Sequence, residues 1–210
     1  MARSSKSKGS KKSSRKPASK KGANDRGGSK LKKRFDKDPS DEEAFVKLWD
    51  QYLEDESWDS MVKLLDKRIT ALEDDKEKVR ALIKLGSLYD EKIGDAQRAV
   101  DTFHRVLTLE PKNRRAIWAL GMLYHDLEDW EKVIEIYLLR IDLAAGPEEK
   151  LALRAQLAQI YEQRLQQEDQ ALMEYIRAAR LAPQNVRILL NMEKLATRTE
   201  SFRELLAVYE

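Results

Sequence analysis

From residue 42 onward, apolar residues recur at i, i+3, i+4 and i+7, the spacing that lines one face of an α-helix. Leu85 and Tyr89 share one such stripe, Leu120 and Tyr124 another. Short polar stretches such as EDES, EKIGD and QRLQQED separate the stripes. Prolines mark the boundaries. Pro111 and Pro183 fall where a second helix ends, and Pro147 suits the first turn of the next one, because proline lacks the N–H that a helix interior needs. Ser40-Asp41-Glu42-Glu43 reads as a capping box opening the first helix. The pattern predicts an all-α body of helices running antiparallel in pairs, ten in all.

The stripes repeat. Shifted by 72 residues, Trp130 aligns with Trp58 upstream and Phe202 downstream, Tyr124 with Tyr52, and the segment 85–111 with 157–183. Leu-Gly-x-x-Tyr stands at 85–89 and again at 120–124, so the period is half of 72, in two alternating flavours. Copies of the second flavour carry one extra residue between their helices, at EKIGD and QRLQQED. The unit resembles the tetratricopeptide repeat, whose pattern runs W-x2-L-G-x2-Y, A-x3-F and P. Leu85, Gly86, Tyr89, Ala99, Phe103 and Pro111 carry the resemblance in the second copy, and Leu157, Ala158, Tyr161, Ala171, Tyr175 and Pro183 in the fourth. The third keeps Leu120, Gly121 and Tyr124. It implies an α-solenoid with a right-handed superhelix over residues 40–210, in repeats at approximately 42–75, 79–113, 114–147, 151–185 and 186–210, the last incomplete. The chain stops at LLAVYE, inside the second helix of copy five. The expectation there is a piece of a longer array, or end-to-end association through residues 201–210.

Charge divides the chain. Residues 1–40 hold 15 Lys/Arg against 3 Asp, while the remainder is acidic, so the formal net charge of +3 conceals a basic arm on an acidic body. With Leu31 and Phe35 as its only sizeable apolar groups, the arm is expected to be disordered through residue 39. Its lysine-rich pieces resemble histone-tail sequences and imply polyanion binding through Lys11, Lys12, Arg15, Lys16, Lys20, Lys21, Lys32, Lys33 and Arg34. The arm is expected to bind DNA or RNA backbone, to lie along acidic groups of the body as a salt-sensitive lid, or only to solubilise the chain. No apolar run approaches a membrane span and cysteine is absent, which excludes thiolate chemistry and fits a cytoplasmic location, with nucleoid or nuclear association through the arm.

The cluster LGMLYHDLEDWEKVIEIY (120–137) gathers a histidine and several carboxylates. In the repeat register its apolar residues are packing positions and its acids lie in a turn. His104 and His125 stand in different copies, and no nucleophile elbow, H-E-x-x-H or phosphate loop is present. No enzyme, metal or cofactor is expected. The resemblance implies that the first helix of each copy lines a groove for a peptide or partner helix, at Arg80, Ile83, Ser87, Arg115, Trp118, Met122, His125, Gln159, Leu190 and Lys194. Trp118 stands out because the family's usual tryptophan position is Ile117 here. The chain is expected to be a protein-interaction adaptor; the alternative is a nucleic-acid-associated adaptor whose arm holds the backbone while its repeats recruit a partner.

Overall fold

The computed structural model describes residues 21–203. It is a succession of helices: α1 (Lys21–Lys37), α2 (Glu42–Glu54), α3 (Trp58–Ala71), α4 (Asp75–Leu88), α5 (Ala96–Leu109), α6 (Arg114–Asp126), α7 (Trp130–Asp142), α8 (Pro147–Gln163), α9 (Glu168–Leu181) and α10 (Val186–Arg198). No strand occurs among the described residues. Helices α2/α3, α4/α5, α6/α7 and α8/α9 pair in chain order, and α10 opens a fifth pair. The second and fourth pairs begin at Asp75 and Pro147, a turn earlier than the apolar stripe suggests. Polar first turns extend these helices: the Asp74 side chain accepts from the Glu77 N–H, and Pro147 occupies the first turn of α8.

Within every pair the link between helices is built the same way. The backbone N–H that opens the second helix donates to a carbonyl near the end of the first: Ser57 to Tyr52, Asp95 to Tyr89, Asp129 to Tyr124 and Gln167 to Tyr161, at 2.8–2.9 Å. Ser201 donates likewise to Ala196, at 2.9 Å. One residue in each link takes positive φ: Glu56 (50°), Gly94 (75°), Glu128 (56°), Gln166 (55°) and Glu200 (56°). The extra residue of the second copy is absorbed as a single π-helical turn, Tyr89–Ile93, closed by Gly94. The alternation seen in the sequence is therefore an alternation of turn length.

The repeat residues form the core. Leu85, Tyr89, Phe103, Leu120, Tyr124 and Val133 are buried in one apolar cluster running from Phe35 to Ile136. A second lies under α8, α9 and α10, and Ile141, Leu153 and Leu157 join the two, with Tyr137 and Tyr161 packed against the joint. Gly86 lets α4 approach α5 over the ring of Phe103. Charge enters the interior at Glu174, which is buried and paired with Arg154 (2.7 Å) and Arg177.

Two expectations are corrected at the N-terminus. The chain is helical from Lys21 rather than disordered through residue 39, and Phe35 is only 2% exposed. Leu31 and Phe35 are one helical turn apart, so a stripe of two residues suffices once it meets an existing apolar face. That face includes Phe45, whose ring centroid lies 6.3 Å from that of Phe35. The segment 28–37 therefore covers α2 and the start of the array, as a terminal repeat needs, instead of lying free as a lid. Second, α2 is capped by Asp41, which accepts from the Ala44 N–H at 3.0 Å, while Ser40 bonds to Asp38. Asp41 also receives Arg34 from α1 (3.1 Å to Nη2), tying the two helices together.

Candidate partner-binding groove

The first helices of the opening three pairs share a hollow. One cavity of about 530 Å³ is lined from α2 by Glu42 and Phe45, from α3 by Arg68, from α4 by Glu77, Arg80, Ala81, Ile83 and Lys84, and from α6 by Arg115. A neighbour of about 250 Å³ is lined by Trp49, Leu53, Trp58, Met61, Ser87 and Leu88, with Glu91 and Lys92 at its polar side. Lys84 and Arg115 border both. Trp118 edges a smaller cavity with Arg114, Ile117, Arg140, Leu143 and Glu149.

Of the residues expected to line a groove, the structure brings Arg80, Ile83, Ser87 and Arg115 around the first two of these cavities and sets Trp118 one turn from Arg115 on α6. Ile83, however, is 8% exposed and forms apolar wall rather than open surface. Trp118 is 57% exposed and Met122, one turn on, 47%. His125 is turned onto the edge of Trp130, with ring centroids 5.2 Å apart and planes at 85°, at the turn end of α6. Gln159, Leu190 and Lys194 lie on α8 and α10 and line none of these cavities; Leu190 is 58% exposed. His104 is taken up by Tyr124: its Nε2 lies 2.6 Å from the Tyr124 hydroxyl, pinning α5 to α6. Among the described residues no three His, Cys, Asp or Glu side chains are grouped to hold a metal ion.

In the arm, Lys32 and Lys33 are exposed, whereas Arg34 is engaged with Asp41 and with Glu43 (2.9 Å) rather than free for a polyanion. Lys11, Lys12, Arg15, Lys16 and Lys20 lie outside the described residues, as do the side chain of Lys21 and most of segment 201–210.

Sequence reasoning missed Arg68, Lys84 and Trp49. Arg68 had a legible signal: it occupies the i+7 position of the α3 stripe Met61, Leu64, Leu65, where an apolar residue belongs. It is buried, its guanidinium carbon lies 4.3 Å above the Phe45 ring centroid, and its Nη2 pairs with Glu42. Its Nη1 is buried without a hydrogen-bond partner. Lys84 Nζ sits 5.4 Å from both the Phe45 and Trp49 ring centroids, and Lys92 Nζ 5.7 Å from that of Trp58. Burial raises the Asp90 carboxyl above the ordinary range, and repulsion by Glu91 and Asp126 adds to it.

The tetratricopeptide-repeat family model matches residues 81–117 and 116–151, the pairs α4/α5 and α6/α7 together with the start of α8. The chain carries tetratricopeptide repeats. A double mutant of MamA RS-1 is similar to the tetratricopeptide array at 16% identity, with a TM-score of 0.50 over 82% of this chain and 91% of that one. MamA from Desulfovibrio magneticus RS-1, residue 41 to its end, is also similar, at 16% identity and a TM-score of 0.48 over 82% of this chain and 92% of that one. A tetratricopeptide repeat protein from Parabacteroides merdae gives 14%, 0.49, 88% and 72% in the same terms. The first likeness is one of fold. A search of curated proteins returned no match. Tetratricopeptide arrays are protein-interaction scaffolds, and that coarse role holds for this one. Among the described residues no helix is long and apolar enough to cross a membrane.

Proposed function

We propose that the chain is a non-enzymatic adaptor whose α2–α4–α6 hollow receives a peptide or helix of a partner protein, anchored on Trp118 and Met122. The observation that carries this is the exposure of both side chains, one turn apart on the helix that borders the hollow. Tyr89, Phe103, Tyr124 and Tyr175, by contrast, are buried. A large, rigid ring left in water beside a flexible thioether is the composition of an interface hot spot. Capture of binding partners by wild type and by Trp118→Ala tests it. Trp118→Ala should weaken the partner several-fold while the circular dichroism spectrum is kept. Unchanged binding, or loss of helicity, would count against the groove.

A second reading is favoured by α1, where Lys30, Lys32, Lys33 and Lys37 are exposed in a row of helical turns continuous with the basic arm. In it the arm holds DNA or RNA through the backbone while the array recruits the partner, and binding is steeply salt-dependent. Titrating DNA against full-length and arm-deleted chain at two salt concentrations tests it. Equal affinity for both removes this reading.

A further inference from the structure

The two cavities of the hollow differ in chemistry, and together they specify what should occupy them. The larger is surrounded by four cations, Arg68, Arg80, Lys84 and Arg115, against two carboxylates, Glu42 and Glu77. One of those carboxylates is committed to Arg68. Arg80, Lys84 and Arg115 make no ion pair among the described residues. Arg34, Arg98, Arg114, Arg154, Arg177 and Arg198, by contrast, each pair with a carboxylate. Among the described residues Arg105, Arg140, Arg164, Arg180 and Arg187 make no ion pair either, but none of them lines this cavity; what sets it apart is that three uncommitted cations and Arg68 converge on one space. Arg68, itself more than nine-tenths buried in the wall of that cavity, retains an unpartnered Nη1. A buried guanidinium N–H without an acceptor is costly unless something supplies one. The adjoining cavity is mostly apolar, walled by Trp49, Leu53, Trp58, Met61 and Leu88, with Ser87, Glu91 and Lys92 also in its lining and Lys84 and Arg115 shared with the first cavity.

We propose that this hollow recognises an acidic segment of a partner protein, in which Asp or Glu side chains flank an apolar one. The carboxylates sit among Arg80, Lys84, Arg115 and Arg68, where guanidinium groups bind carboxylate oxygens in a two-pronged, charge-assisted geometry. The apolar side chain fills the neighbouring Trp49–Trp58 cavity. The proposal rests on the groove reading above and names the ligand chemistry of that groove. Charge complementarity disfavours the chain's own arm, which carries 15 Lys/Arg against 3 Asp over residues 1–40 and is repelled by the same cations. A nucleic-acid strand would match its phosphates to the same cations, and the test below separates it from an acidic peptide.

Selection of short random peptides on the full chain, followed by fluorescence-polarisation binding of the enriched peptides, tests this. Three proteins are compared: wild type, Arg80→Glu/Arg115→Glu and Trp118→Ala. Arg80 and Arg115 are exposed, so the charge reversal is expected to leave the helical spectrum and melting transition in place. The expected result is a consensus of acidic residues around an aromatic or aliphatic one. Its affinity should fall about tenfold or more in the charge-reversed variant and weaken as salt is raised. Enriched peptides without acid, indifferent to the charge reversal but weakened by Trp118→Ala, would overturn the acidic-ligand proposal and leave the groove reading standing. Enrichment of basic peptides, or an oligodeoxynucleotide that displaces the acidic ones and is itself lost on charge reversal, would overturn it as well. Absence of any consensus from folded wild type would overturn both readings together.

Discussion

The ring of Phe103 occupies the space that a side chain at position 86 would need: a β-carbon built on Gly86 would stand 2.8 Å from Cζ of that ring. Glycine in mid-helix is ordinarily a liability of about 1 kcal/mol relative to alanine. Here it allows α4 to close on α5, and the ring it accommodates is a core residue of the repeat.

Gly86→Ala should therefore destabilise the array, against the helix propensity of alanine, by roughly 1–3 kcal/mol as overpacking does. Thermal melting measures it. Phe103→Leu should cost stability in wild type but less in the Gly86→Ala background, because the smaller side chain vacates the conflict. Additive losses would show that the two positions are not coupled.

Glu128 should gain from becoming glycine. It holds φ at 56°, a region where an L side chain costs about 1 kcal/mol or more, and Gly94 occupies the matching position of the preceding copy. Glu128→Gly is expected to raise the melting temperature, and Gly94→Ala to lower it. A destabilised Glu128→Gly would mean that the glutamate side chain holds the turn.

Burial decides the asymmetry between Glu174 and its arginines. Glu174 is 3% exposed, while Arg154 and Arg177 reach solvent. Glu174→Gln leaves cations that water can solvate and should be mild. Arg154→Leu with Arg177→Leu leaves a buried carboxylate alone and should cost about 3 kcal/mol or more in denaturant unfolding.

The docking of α1 turns on Phe35. Phe35→Ala should release α1 while the array melts almost as before, because only the first pair loses contacts. Limited trypsin digestion reads this directly, with faster cleavage after Lys32, Lys33 and Lys37. Unfolding of the whole array instead would place α1 inside the cooperative unit.

Acid should act on the same joint. The Ala44 N–H, followed by the Arg34 guanidinium, holds the Asp41 carboxyl below the ordinary carboxylate range, and burial opposes them. A folded-state pKa below the unfolded one contributes stability above the unfolded value and loses it as pH falls through the folded value. Acid titration of helicity should show a loss below the ordinary carboxylate range in wild type that is missing from Asp41→Ala, where the cap and the Arg34 pair are already gone.

What the sequence by itself determined was the array. A helix contributes to a solenoid only through residues on one face, so spacing alone reveals Leu85, Tyr89, Leu120, Tyr124 and their equivalents, and proline marks the ends. Even the alternation of turn length was legible as one extra residue. Tertiary structure alone decided the rest, wherever the outcome depends on what a neighbour offers. Two apolar residues in a polycationic arm fold into α1 because α2 presents an apolar face to them. Ile83 becomes wall rather than surface because the adjacent helices close over it. The cationic cavity is assembled from Arg68, Arg80, Lys84 and Arg115, which stand on three helices up to 47 positions apart in the chain. Helical periodicity assigns each of them a face of its own helix, but their convergence is set by how helices pack.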